Sequence, residues 1–288
     1  MFFKQTYIGI FLALSSGIGF MASNTLAGVS YQFGSNPLTV SATRFMLPVI
    51  VLTILLKSSG LRLVLPKRIV IVSIILGFIT VIYTITLLNS IEVLPLAIAI
   101  LIFYLFPIFT GLILSVFGWQ KLTPIKASTS VIAFLGISLA LGADFIDLDG
   151  WGIIYAMIAA TGLATISVIS SRLMTHEDAR LVTLHMSISA TLILIIFCLF
   201  DGGFMLPNSS VGWISILISH AFYAYAMISF FIAISIIGAG ETTFYNNIEP
   251  IMAVGAGYLF LNQNLTMFQY IGILIVLLAL LYHSRKVA

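Results

Sequence analysis

FPIFTGLILSVFGWQKLT, residues 106–123, and EPIMAVGAGYLFLNQNLT, residues 249–266, read as one segment written twice. A shift of 143 lays Pro107 on Pro250 and Phe117 on Phe260, and the run Gln120, Lys121, Leu122, Thr123 on Gln263, Asn264, Leu265, Thr266. Working outward, the same shift pairs Gly9 with Gly152, Ala13 with Ala156, Gly19 with Gly162 and Leu38 with Leu181. Apolar segments match one another often by chance, so each pair is weak evidence. A constant, gapless shift that holds at both ends of the chain is stronger, and it predicts an internal duplication. The expected copies run from about 7 to 142 and from about 150 to 285, within one domain of residues 1–288.

Composition says where such a chain sits. Of 288 residues, 61% are hydrophobic and only 7% charged, where soluble domains carry about 25% charge. That is too little charge to cover a water-facing surface, so the lipid bilayer is the expected partner. Apolar runs bounded by charge and turn signals give ten spans: Tyr7 to Val29, Leu38 to Leu56, Ile69 to Leu88, Pro95 to Phe117 and Lys126 to Gly142, then Gly150 to Ser171, Leu181 to Phe200, Val211 to Ile236, Thr242 to Leu261 and Thr266 to His283. Ten spans of about 20 residues leave only short loops. The expected fold class is an all-α polytopic membrane protein of ten transmembrane helices.

The charges test that count independently. With both termini cytoplasmic, the inner segments hold Lys4, the group Lys57, Arg62, Lys67 and Arg68, then Lys121 and Lys126, Arg172 and Arg180, and Arg285 and Lys286, eleven of the 12 basic residues. The outer segments hold Glu92, Asp144, Asp147, Asp149 and Asp201. This is the positive-inside pattern, expected of a cytoplasmic membrane. The first span is read as a retained anchor rather than a signal peptide, because its apolar run exceeds the usual core length. Five spans per copy is an odd number, so the second copy enters from the opposite side. The halves become inverted repeats, an architecture of secondary transporters that rock about a central site.

Ionisable groups inside a membrane are expensive and mark candidate sites. Arg44 lies about 9 Å inside the second span and Glu249 about 10 Å inside the ninth, at 1.5 Å of rise per residue. Thr242, Tyr245, Asn246, Glu249 and Ala253 follow helical spacing along one stripe, which Asn247 flanks. Pro250 frees a carbonyl near Asn246 and predicts a kink there; a packing kink is the other reading of Pro250 and Pro107. His220, Tyr223 and Met227 share a face of the eighth span, and Thr80, Tyr83 and Thr84 share one on the third. With Asn24 and Tyr104 these predict a central cavity of aromatic walls and few polar anchors. The candidate substrate residues are Asn24, Arg44, Tyr83, Tyr104, His220, Tyr245, Asn247 and Glu249, with Pro107 and Pro250 as hinges. Packing is the alternative for the tyrosines, a satisfied buried hydrogen bond for His220, and an ion pair for Arg44 with Glu249. The shift of 143 sets Glu249 on Phe106, Asn246 on Phe103, Asn247 on Tyr104 and His220 on Gly77, so polar chemistry concentrates in the second half.

The ten-span plan, the half length near 143, the Asn-bearing stretch Ser16 to Asn24, Arg44, and the proline-containing fourth and ninth spans followed by Gly118 to Pro124 and by Asn262 to Thr266 resemble the drug/metabolite transporter superfamily, and within it the EamA family. The resemblance covers the whole chain. Gln120 and Gln263 stand where that family usually has glutamate. It implies export or uptake of small metabolites such as amino acids.

Other classes lack motifs. His176, Glu177 and Asp178 are followed by Arg180 where a zinc pattern needs histidine, and neither a nucleophile elbow nor a P-loop is present, so no catalytic residue, metal or cofactor is expected. A channel would need a filter sequence or a charged ring. The basic residues are scattered between spans and form no nucleic-acid patch. The single cysteine, Cys198, excludes an intramolecular disulfide. The reading is a secondary transporter of a small amino-acid-like or amphipathic metabolite, working by alternating access as an exporter and coupled to protons. A channel and an intramembrane enzyme are the alternatives, and a second copy of the chain is a candidate partner.

Overall fold

A computed structural model describes residues 2–143, 148–200, 202–261 and 265–287. Asp144, Asp147, Asp201 and the segment Asn262, Gln263, Asn264 lie outside the described residues. Among those described, the chain is helical and nine helical stretches are long and apolar enough to cross a membrane. In order they are α1 (Phe2–Tyr31), α2 (Pro37–Arg44) with α3 (Met46–Ser58), α4 (Lys67–Val93), α5 (Leu96–Phe103) with α6 (Phe106–Val116), α7 (Pro124–Leu141), α8 (Gly150–Leu173), α9 (Ala179–Phe200), α10 (Ser210–Tyr245) and α12 (Met267–Val287). The shorter α11 (Ile248–Leu261) continues from α10.

Local sequence explains where the helices begin and stop. Asn36, Thr123, Asp149 and Ser209 each turn a side-chain oxygen onto a backbone amide three residues on, to Thr39, Lys126, Gly152 and Gly212. Pro37 and Pro124 follow two of these caps, where the missing amide costs nothing. Gly142 ends α7 in the left-handed conformation with φ 61°. Three breaks lie just ahead of prolines. Phe45 parts α2 from α3 before Pro48, Tyr104 and Leu105 part α5 from α6 before Pro107, and Asn246 and Asn247 part α10 from α11 before Pro250. Proline cannot donate to the carbonyl four residues back and its ring crowds that turn, so the helix opens there.

The 36 residues of α10 would extend about 54 Å as one helix, against a hydrocarbon core of about 30 Å. The chain solves this at Gly238, whose φ of 83° and ψ of 165° are non-helical and suit glycine. Before Gly238 the chain runs antiparallel to α1. Asn208 meets Phe33, Ser219 meets Ser23, a Cβ on Gly19 would lie 3.0 Å from Ala226, and one on Gly9 would lie 2.5 Å from Ile237. After Gly238 it runs parallel to α1. Asn246 meets Ala13 and Ser16, Ile248 packs on Gly17, and Glu249 reaches Asn24. What the sequence divides into spans Val211 to Ile236 and Thr242 to Leu261 is therefore drawn as α10, turned back at Gly238, and α11.

Two further antiparallel pairs complete the frame. Along α4 and α8, Leu94 packs on Gly152 and Tyr83 on Gly162; along α7 and α12, Ala140 packs on Gly272 and Thr129 on His283. A Cβ on Gly272 would sit 2.4 Å from the Ala140 nitrogen, so this crossing needs glycine. Lipid tails are as apolar as leucine, so these helices associate by close packing of small residues and by hydrogen bonds. The outward faces carry the large apolar side chains, among them Ile54, Val116, Leu192, Phe200 and Leu278, all exposed. An apolar exterior this extensive belongs in a bilayer.

Candidate functional site

The three helix breaks and the second half of α1 surround a cavity of about 140 Å³. A cavity of this size holds a single ring-sized group. Its walls are aromatic. Phe20 and Phe45 meet the Tyr223 ring edge-on at 5.7 and 5.2 Å, Tyr83 stacks on Phe103 at 6.4 Å, and Phe106, Phe230 and Phe231 complete the lining. Thr80 and Met227 contribute smaller surfaces from α4 and α10.

Glu249 enters this apolar surround from the first turn of α11, where the break before Pro250 sets it. Asn24 donates from Nδ2 to Glu249 Oε1 at 3.1 Å, and the Tyr104 hydroxyl lies beside the same carboxylate. Asn24 is itself exposed, so the cavity is reached from that side of α1. Asn246 is pinned by its Nδ2 within 3.3 Å of Ala13 O, Ser16 Oγ and Thr242 O. That network holds the broken end of α10 on α1 and sets the position from which Glu249 projects. Arg44 reaches the cavity from the end of α2 with its guanidinium carbon 4.8 Å from the Tyr223 ring centroid, and its buried Nε has no hydrogen-bond partner. Arg44 and Glu249 line one cavity, and among the described residues no ion pair joins them. The site thus presents one acidic and one basic group across an aromatic slot.

Of the residues expected from the sequence, Asn24, Arg44, Tyr83 and Glu249 line the cavity, and Tyr104 touches Glu249 from behind it. The others do not line it. His220 instead sets Nε2 2.8 Å from Thr43 Oγ1, because its side chain turns toward α2 while Tyr223 and Met227 on the same helix turn inward. Tyr245 points away to pack edge-on against His283 at 6.0 Å. Asn247 is buried beside the break and does not line the cavity, whereas Asn246, on the same stripe as Glu249, does. Pro107 and Pro250 both follow helix breaks, as expected of kinks.

A second cluster escapes the sequence reading altogether. Glu241 Oε1 accepts from Lys126 Nζ at 2.6 Å and its Oε2 lies 2.6 Å from His283 Nε2. His283 Nδ1 lies 3.2 Å from Thr129 Oγ1, and the ring packs on Phe244 with centroids 4.1 Å apart. The sequence begins its ninth span at Thr242, which leaves Glu241 in a loop; the turn at Gly238 instead makes Glu241 helical and only 5% exposed. The signal that could have found it is the ion-pair arithmetic of one acid between two bases at span ends.

The polar loop offers less. Arg180 pairs with Asp178 through 2.7 and 3.0 Å contacts, and that hydrogen bonding holds the Asp178 carboxyl below its ordinary range. Among the described residues no three His, Cys, Asp or Glu side chains are placed to hold a metal ion.

Residues 150–285 match the EamA-like transporter family. The chain is 26% identical to an uncharacterized transporter, YxxF, of Bacillus subtilis (strain 168), over 217 residues that cover 73% of this chain and 68% of that protein. Its fold is similar to that of a protein of known crystal structure, with a TM-score of 0.76 at 16% identity and 98% of each chain covered. Aromatic cavity and proline-broken helices thus stand in a chain whose second half, residues 150–285, is similar to the EamA-like transporter family.

Proposed function

We propose that this membrane transporter is a secondary carrier that exports a small amphipathic metabolite of amino-acid type by alternating access, with Glu249 as the group that holds its ammonium and exchanges it for a proton. The observation that carries this reading is a carboxylate on a broken helix that accepts from the neutral donor Asn24, with the Tyr104 hydroxyl beside it, in an aromatic cavity that also carries Arg44. A carboxylate in apolar surroundings that lacks a cation of its own gains from binding one. Arg44, with Nε unpartnered, is placed for the carboxylate of a zwitterion. A volume near 140 Å³ suits one compact side chain.

Alternating access needs two halves that can exchange roles, and the contacts support an inverted repeat. Adding 143 to the pair Leu94–Gly152 and exchanging partners gives Ile237–Gly9, and Tyr83–Gly162 gives Ala226–Gly19, contacts that are all present. The same operation turns the Gly272–Ala140 crossing into Thr129–His283. Thr123 and Thr266 both cap onto the amide three residues on, at 3.3 Å. On this reading α10 up to Gly238 is an eighth crossing, the chain after it a ninth, and both termini face the cytoplasm with the basic segments.

Counterflow in proteoliposomes tests it. Purified protein is exposed to a mixture of amino acids, amines and vitamins, and exchange is read by mass spectrometry for wild type and Glu249→Gln. Selective exchange that Glu249→Gln abolishes, together with its pH dependence, is the expected result. No exchange by folded protein across the panel would overturn the carrier reading in favour of a channel or an enzyme.

A further inference from the structure

Glu241, Lys126 and His283 bring together the start of α7, the turn of α10 after Gly238 and the end of α12. This is the end of the bundle where α1 begins, since Gly9 packs on Ile237 beside the same turn. It lies away from the cavity's exposed rim at Asn24. Beside it Leu114, Val168 and Ala239 pack α6, α8 and α10 together, and the Gln120 Oε1 would lie 2.9 Å from a Cβ on Gly240.

The shift of 143 shows what the other end has in the same places. Lys126 corresponds to Gln269, His283 to Ala140, Thr129 to Gly272 and Glu241 to Ile98. There the contact is neutral, with Gln269 Nε2 donating to Ala140 O at 3.3 Å. One end of a pseudo-symmetric bundle is therefore tied by three charge-bearing groups and the other by an amide and methyl groups. Close packing and a neutral hydrogen bond hold the α7–α12 crossing at that end, so charges are not required for such a crossing.

We infer that Lys126, Glu241 and His283 form an ionic gate that closes the cytoplasmic end of the carrier, and that the cavity opens to that side only when Glu241 parts from Lys126. This rests on the alternating-access reading above. A buried ion pair suits a gate because it is strong and directional when made, and both charges regain solvation when the end opens to water. Lys126, with its side chain 28% exposed against 7% for Glu241, is the partner that can leave to solvent. Lys121 and Ser130 line the small cavity beside the pair. Tyr245 sees the Glu241 charge from its own helix.

The test is cysteine accessibility from the cytoplasmic face. Ser130→Cys is introduced with the native, buried Cys198 retained, whose labelling in the parent sets the background, and inside-out vesicles are treated with a membrane-impermeant maleimide. Glu241→Gln and Lys126→Met should each raise the labelling rate about tenfold or more by shifting the closed state toward the open one. Labelling equal to the parent in folded protein would overturn the gate. Should Glu241→Gln fail to fold, Lys126→Met decides alone, because that side chain is partly in solvent. The readout needs no substrate. Faster labelling with a failed counterflow assay would support the gate and sink the substrate reading, while successful counterflow with unchanged labelling would sink the gate alone.

Discussion

Glu241 and Glu249 lie eight positions apart on either side of one helix break, yet their surroundings are opposite. Glu241 has both oxygens engaged, one by Lys126 and one by His283, and is nearly excluded from solvent. Glu249 has a neutral amide on one oxygen, the Tyr104 hydroxyl nearby, and an aromatic cavity in front of it. A carboxylate with both oxygens engaged by protein partners has little left to offer a ligand, and removing it strands those partners. A carboxylate held by neutral donors still has lone pairs and an uncompensated charge to offer a ligand.

The sharpest way to break this contrast is Glu241→Ala. It leaves Lys126 and His283 without their acceptor, so stability should fall by about 3–5 kcal/mol, as for removal of one partner of a buried pair. Thermal unfolding in detergent would show it, and an unchanged midpoint would remove the distinction. Glu249→Gln should be the mirror case, unfolding within about 1 kcal/mol of wild type because the amide preserves shape, while exchange falls tenfold or more, equivalent to about 1.4 kcal/mol. Asn24→Ala should weaken substrate by a few-fold, about 0.5–1.5 kcal/mol, through loss of one hydrogen bond to the carboxylate. Tyr223→Leu removes the ring under Arg44 and should cost about 0.5–1 kcal/mol of affinity for substrates that carry a carboxylate, leaving amines unaffected. The smallest effect on transport is expected for His220→Ala, whose side chain bonds Thr43 outside the cavity lining.

The sequence was informative where a strong physical rule acts on a long segment. Hydropathy marked the spans, and basic residues marked one end, because lipid penalises both errors heavily. Pro107 and Pro250 announced their breaks, since a missing amide is a local fact. Glu249 and Arg44 stood out because a charge in an apolar run needs a reason. What could not be read were rotations and turns. Gly238 looks like any of the 22 glycines, yet its backbone turns α10 and brings Glu241 into the helix. His283, on the last helix of the chain, finds Glu241 and Thr129 only through the crossing of α7 and α12. Helical spacing groups His220 and Tyr245 with residues that do line the cavity, but spacing fixes a helix face and not what that face meets.

Ligand-induced thermal stabilisation of the purified protein is the most direct test that Glu249 holds the substrate. Over a panel of amino acids, amines and vitamins, one chemical class bearing an ammonium group should stabilise wild type, by about 2.7 kcal/mol at a hundredfold excess over its Kd. Glu249→Gln should unfold at nearly the same temperature without ligand and show no such rise with it. An equal rise in Glu249→Gln, or a stabilising class with no cationic group, would contradict the account.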